Sequence, residues 1–154
     1  MLARCGIATA AAAQGSVPPG VRPEVRADVF LGSRGAVQAG AGLQFPAGLY
    51  VRVGADVAAG VRTGRVDGTR LDGRVDVLGR FLLDPYRQSR FGLSAGAGLG
   101  TRFERGERAT PLLLVAVDVE EHQRGDSWVR ALQVGLGGGA RVGIVLRRGE
   151  ASAR

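Results

Sequence analysis

From Glu24 onward, apolar and polar residues alternate with a period of two, and the alternation breaks only at short clusters of Gly, Pro, Asp, Ser and Arg. Each unbroken stretch predicts a strand: 24–32, 36–45, 48–62, 71–83, 90–104, 112–120, 128–136 and 140–147. The third is the cleanest, with Leu49, Val51, Val53, Ala55, Val57, Ala59 and Val61 set against Tyr50, Arg52, Gly54, Asp56, Gly60 and Arg62. The first sets Val25, Ala27, Val29 and Leu31 against Glu24, Arg26, Asp28 and Phe30, and the sixth sets Leu113, Val115, Val117 and Val119 against Leu114, Ala116, Asp118 and Glu120. The connectors are short and rich in turn formers, as in Pro46-Ala47-Gly48 and Gly137-Gly138-Gly139, so successive strands are expected to pair antiparallel. A chain that is mostly strand must dispose of its two unpaired edges, and closure into a barrel removes both. The prediction is an all-β, eight-stranded antiparallel up-and-down barrel.

Alternation does not say which face is inside; the content of each face does. Arg26, Asp28, Arg52, Asp56, Asp72, Arg74, Asp76, Arg80 and Asp118 share the polar face with many Gly, a mixture suited to a narrow lumen filled by ion pairs. The opposite face is Val, Leu and Ala in mid-strand. Its aromatics gather at strand ends, with Phe45, Phe81, Phe91 and Trp128 toward one end and Phe103 toward the other, the arrangement of an interfacial girdle. About ten residues per strand at ~3.3 Å rise and ~45° tilt give an apolar band of roughly 23 Å. The polarity therefore points to a transmembrane barrel. A soluble lipocalin-like barrel binding a small apolar ligand is the alternative, and it would place the apolar face inside.

Composition narrows the field. The chain has 154 residues, 26 of them Gly against a usual ~7%, and all 21 basic residues are Arg. The formal charge of +7 is dispersed among Asp and Glu rather than blocked, so nucleic acid is not an expected partner. One Cys and one His leave no basis for a disulfide framework, a metal site or a cofactor. Residues 1–13 read as a signal-like leader, shorter than the usual ~15–30 residues. Residues 14–23 form a Pro-rich linker, 24–148 the barrel and 149–154 a tail.

By this pattern, from about Glu24 to Arg147, the chain resembles the small eight-stranded outer-membrane barrels of the OmpA transmembrane-domain type. The resemblance implies an outer-membrane location, lipid as surroundings and the barrel-insertion machinery as a partner. The chain departs from that family after Val142, Ile144 and Leu146, where Arg147 to Arg154 carry no terminal aromatic.

Catalysis is not expected. His122 lies in the acidic turn Glu120-Glu121-His122-Gln123-Arg124 with no Ser two places on, and Asp72 and Asp76 flank Arg74 as an ion-pair ladder rather than an acid pair. Gly96-x-Gly98-x-Gly100 sits inside a strand with no helix after it, so it is lumen lining rather than a phosphate loop. One rim carries Arg34, Arg62, Arg65, Arg70, Arg102, Arg105 and Arg108 against Asp67, Glu104 and Glu107. The other carries Arg87, Arg90 and Arg124 against Asp84, Glu120, Glu121 and Asp126. The basic rim, through Arg65, Arg105 and Arg108, is the candidate site for lipid A phosphates of lipopolysaccharide. The expected role is structural or surface-interaction, without a large pore.

Overall fold

The structure is a computed structural model describing residues 20–32, 34–63, 68–84, 89–121 and 128–148. These residues hold eight strands and no helix: β1 (Arg22–Leu31), β2 (Ala36–Pro46), β3 (Val51–Thr63), β4 (Thr69–Leu82), β5 (Phe91–Glu104), β6 (Thr110–Glu121), β7 (Trp128–Leu136) and β8 (Ala140–Arg148). Each pairs antiparallel with the next, and β1 pairs with β8 from Glu24↔Arg147 to Leu31↔Ala140, closing the barrel. β1 begins and β8 ends at what we term the near mouth; the β1–β2, β3–β4, β5–β6 and β7–β8 connections ring the far mouth. The β7–β8 reversal at the far mouth is made by Gly138 and Gly139, whose φ values of 68° and 137° are those L side chains avoid.

Every strand but β7 differs from the sequence expectation at one or both ends by one to three residues, and two of these shifts have a clear local cause. Arg22 and Pro23, assigned to the linker, are the first residues of β1, because Arg22 faces inward and pairs with Glu120 while Pro23, half-buried, keeps the strand's register opposite Leu43. β3 starts at Val51 rather than 48, since Gly48 at φ 135° and its neighbours make the turn. The leader at 1–13 and the tail at 149–154 lie outside the described residues, as do His122, Arg65 and Cys5.

The alternation maps onto the barrel with the charged face inward. Asp28 and Gln133 are 0% exposed, whereas Leu113 is 79% and Ile144 62% exposed on the outer face. Among the described strand residues only Glu121, Arg130 and Arg148 put a charge on the outer face, and all three lie at the near mouth. Phe45, Phe81, Phe91 and Trp128 stand exposed around that same end, where Tyr50 stacks on Phe81 with ring centroids 5.8 Å apart. Phe103 is exposed toward the far mouth. The inside is not uniformly polar: Leu78, Leu114 and Ala116, with Leu112 against them, form a small apolar cluster on the β4 and β6 walls.

Glycine makes that interior possible. Gly96, Gly98 and Gly100 of β5 are opposite Arg80, Leu78 and Asp76 of β4, so the bare β5 wall leaves room for three large β4 side chains. A Cβ at Gly98 would collide with the Val77 carbonyl oxygen and the Leu78 backbone. At Gly79, on the outer face, the nearest atom to a Cβ is the Ala97 carbonyl oxygen at 3.8 Å. Gly98→Ala is therefore expected to destabilise by about 1–3 kcal/mol, the usual cost of overpacking. Gly79→Ala should be neutral or slightly stabilising, through reduced freedom of the unfolded chain. Urea unfolding midpoints of the two variants in detergent micelles check the contrast.

Candidate functional site

The register of the β3–β4–β5 wall creates a difficulty in electrostatics. It sets Arg52 opposite Arg80, Asp56 opposite Asp76, Arg74 opposite Arg102 and Asp72 opposite Glu104. Like charges directly across a strand pair repel, and inside a barrel they are also stripped of water. The pairs are neutralised partly within the wall, by Arg62 of β3 and Arg74 of β4, and partly by side chains arriving from other strands, and three tiers of contacts result.

Toward the far mouth, Arg62 sits between Asp72, with Nη2 at 2.9 Å from Oδ2, and Glu104, with Nε at 3.3 Å from Oε1. Gln38 Nε2 donates to Asp72 at 2.8 Å. Below them the Phe30 ring, turned inward by its parity on β1, lies under the guanidinium groups of Arg62 and Arg74 at 5.9 and 5.1 Å.

In the middle tier Arg26 and Asp28 have side chains 0% exposed and pair at 2.8 Å. Arg26 also reaches Asp56 at 3.0 Å, and Arg74 reaches Asp28 at 2.5 Å and Asp76 at 3.0 Å. Asp76 receives Arg141 of β8 at 2.9 Å. So the opposed Asp56 and Asp76 are held apart by cations from β1 and β8 as well as by Arg74.

At the near mouth Arg80 Nε donates to Asp118 at 2.9 Å, and Arg147 contacts Glu24 at 3.0 Å, Glu120 at 3.0 Å and Asp118 at 3.3 Å. Arg22 pairs with Glu120 at 2.8 Å. Arg52 lies here too, 8% exposed.

Gln133 joins the middle and near tiers. Its Oε1 accepts from Arg141 at 2.8 Å and from Arg26, while its Nε2 donates to Asp118 at 2.6 Å. An amide is both donor and acceptor, so it can take cations on one side and an anion on the other.

The structure thus places Arg26, Asp28, Arg52, Asp56, Asp72, Arg74, Asp76, Arg80 and Asp118 inside the barrel. It adds Arg22, Glu24, Arg141, Arg147 and the glutamines Gln38, Gln44 and Gln133, which sequence reading did not single out. Charge and parity mark all the added arginines and Glu24. The glutamines had no such signal beyond parity. The expected ladder within β4 holds for Arg74 and Asp76 only; Asp72 is taken by Arg62 and Gln38 instead.

The two rims require correction. Arg62 and Glu104, assigned to the basic rim, are 4% and 9% exposed and belong to the lumen because both share a tier with Asp72. Glu120, assigned to the opposite rim, turns inward to Arg22 and Arg147. On the far rim Arg105 and Arg108 are exposed, while Arg34 and Arg70 lie 3.8 Å from Glu107. Among the described residues no group of His, Cys, Asp and Glu could hold a metal ion.

No protein-family model matches the chain, and no curated protein matches it. Among solved structures the chain is similar to Ail, the attachment invasion locus protein of Yersinia pestis. That match has 12% sequence identity and a TM-score of 0.44, and covers 82% of this chain and 92% of that one. The fold of the chain is the closed eight-stranded antiparallel meander, with no helix among the described residues.

Asp76, 1% exposed between Arg74 and Arg141, is the sharpest test of the lumen. Asp76→Ala leaves two buried guanidinium groups short of a counter-charge, at a cost of about 3–5 kcal/mol. A large fall in the urea midpoint is expected. A midpoint like that of the wild type would mean that water, and not Arg74 and Arg141, surrounds this carboxylate.

Proposed function

We propose that this chain is a small integral barrel of a Gram-negative-type outer membrane, with a structural or surface-interaction role and a lumen too filled by side chains to act as a large pore. The observation that carries the reading is the inverted polarity. Valine, leucine and isoleucine cover the outside of every strand, while arginine and aspartate fill the inside. Soluble monomers rarely expose contiguous apolar patches beyond a few hundred Å². A belt running round the whole barrel, with aromatics toward its ends, suits contact with lipid. The lipocalin-like alternative needs the apolar face inside, and Asp28, Asp76 and Gln133 occupy that place instead.

Lipid is then the surrounding partner, and assembly would rest on the barrel-insertion machinery. The far rim supports a surface role. Arg105 and Arg108 are exposed beside Arg34 and Arg70, and Arg65 belongs to the same rim by sequence. Guanidinium groups suit bidentate contact with lipid A phosphates. Catalysis and cofactors form no part of the proposal.

Fractionation tests the location. The protein is expected in the outer-membrane fraction as a band that migrates faster unboiled than boiled, and a soluble product without a heat shift would overturn the reading. Val77→Arg refines it, since Val77 is 50% exposed on the outer face in mid-strand. The variant should lose about 2–4 kcal/mol of stability in lipid vesicles, the cost of a cation near the bilayer midplane. For the rim, replacing Arg65, Arg105 and Arg108 together by Gln should reduce lipopolysaccharide co-purification. Unchanged co-purification would remove that partner.

A further inference from the structure

At its near mouth the outer face of the barrel is not the same all round. On β1–β4 the outward strand residues at that level are uncharged: Pro23, Phe45, Val51 and Phe81. The outward charges of the described strands, Glu121, Arg130 and Arg148, fall on three consecutive strands, β6, β7 and β8. Arg90, exposed just before β5, extends the group, with its guanidinium 5.8 Å from the centroid of the Phe91 ring. Among the described residues, three arginines against one glutamate make this half of the near-mouth belt basic, and the other half is apolar.

The register gathers two of these arginines beside an indole. Trp128 is directly opposite Arg148, and Arg130, two places along β7 on the same face, is opposite Leu146. Arg130 and Arg148 are therefore diagonal neighbours across the β7–β8 pair, about 7–8 Å apart, a gap that long side chains span. Arg130 is exposed and makes no hydrogen bond or ion pair among the described residues, Glu121 on the adjoining strand included. It also lies farther from the mouth than Trp128, with exposed Leu132 and Val134 continuing the apolar belt beyond it. A cation on the lipid side of an interfacial indole stands where charge begins to cost, and a counter-charge at headgroup level offsets that cost.

We infer that the Trp128–Arg130–Arg148 triangle is a binding site for an anionic glycerophospholipid. The arginine fork takes two oxygens of one phosphate, and the indole N–H supplies a further donor. The face that carries these donors runs on into Leu132 and Ile144, opposite one another on β7 and β8 and 49% and 62% exposed, where an acyl chain can lie. Headgroup donors continuous with an apolar track fit a bilayer lipid and not a free phosphate, which would have no walls around it here. A net negative headgroup is preferred because the ammonium of a zwitterionic one would meet the same arginines. The site is separate from the far-mouth rim, at the opposite end of the barrel, and it rests on the reading of the chain as an integral membrane barrel.

Trp128 is the only tryptophan of the chain, so its fluorescence reports on this patch alone. The protein is folded into vesicles of phosphatidylcholine and phosphatidylglycerol, a heat-shift gel verifies the fold, and quenching is measured with bromine on the acyl chains of one lipid at a time. Phosphatidylglycerol is expected at Trp128 about fivefold more often than its share of the bilayer, the scale of one arginine at an anionic surface. Arg130→Gln should at least halve that preference, and Arg130→Gln with Arg148→Gln should abolish it. Both side chains are exposed, so the heat shift should persist in these variants. Equal quenching by the two lipids in the wild type, or a preference untouched by Arg130→Gln, would overturn the inference and leave the membrane reading standing. Absence of quenching by either lipid would overturn the membrane reading, and the inference with it.

Discussion

The structure depends on the neutralisation of like charges that its own register sets face to face. Asp56 and Asp76, Arg74 and Arg102, and Asp72 and Glu104 stand opposite one another on adjacent strands. In an open sheet facing water such pairs would cost little, but in an interior shut off from water each needs a counter-charge. For Asp56 and Asp76 the counter-charges come from Arg26 on β1 and Arg141 on β8 as well as from Arg74. Those two strands also form the seam that closes the barrel. Charge balance at Asp56 and Asp76 and closure at β1–β8 are therefore one event. A half-closed sheet would bury carboxylates without their partners, which disfavours partly closed forms and makes folding cooperative.

Arginine is the cation that such an interior can use. Its guanidinium stays charged when desolvated, and its several donors reach more than one acceptor. Arg147 contacts three carboxylates and Arg26 also contacts three, Glu24 being common to both. A lysine would offer one point charge that burial tends to discharge. The exclusive use of Arg in the sequence acquires a physical reason here, although residues outside the lumen share the same bias.

How much of this was legible in the sequence follows from what a period of two encodes. Parity sorts residues onto two faces, and the difference between Arg26, Asp28 and Asp76 on one and Val25, Val29 and Val77 on the other sufficed to tell lumen from exterior. Parity says nothing about height along the axis or about which side chains meet across the lumen, because those depend on strand tilt and stagger. So Arg62 and Glu104 read as rim, and Asp72 read as a partner of Arg74. Gln133 was hidden for a different reason: an uncharged amide on a polar face looks ordinary until the cations and the anion around it are seen. The Gly-x-Gly-x-Gly of β5 could be excluded as a phosphate loop from its strand setting, but its purpose, space for Asp76, Leu78 and Arg80, needed the β4–β5 register.

The seam also joins the two described ends of the chain. Arg22 Nε donates to the Arg148 carbonyl oxygen at 2.9 Å, and an even number of strands returns the chain to the side it started from. Whatever polypeptide precedes β1 and whatever follows β8 must leave the barrel through the same mouth, side by side. Fusions attached to the two flanks would thus emerge at one end of the barrel, and the wall would tolerate circular permutation: a short bridge from Arg148 to Arg22, with new termini opened at a far-mouth turn, preserves every strand pairing while moving both flanks to the other end.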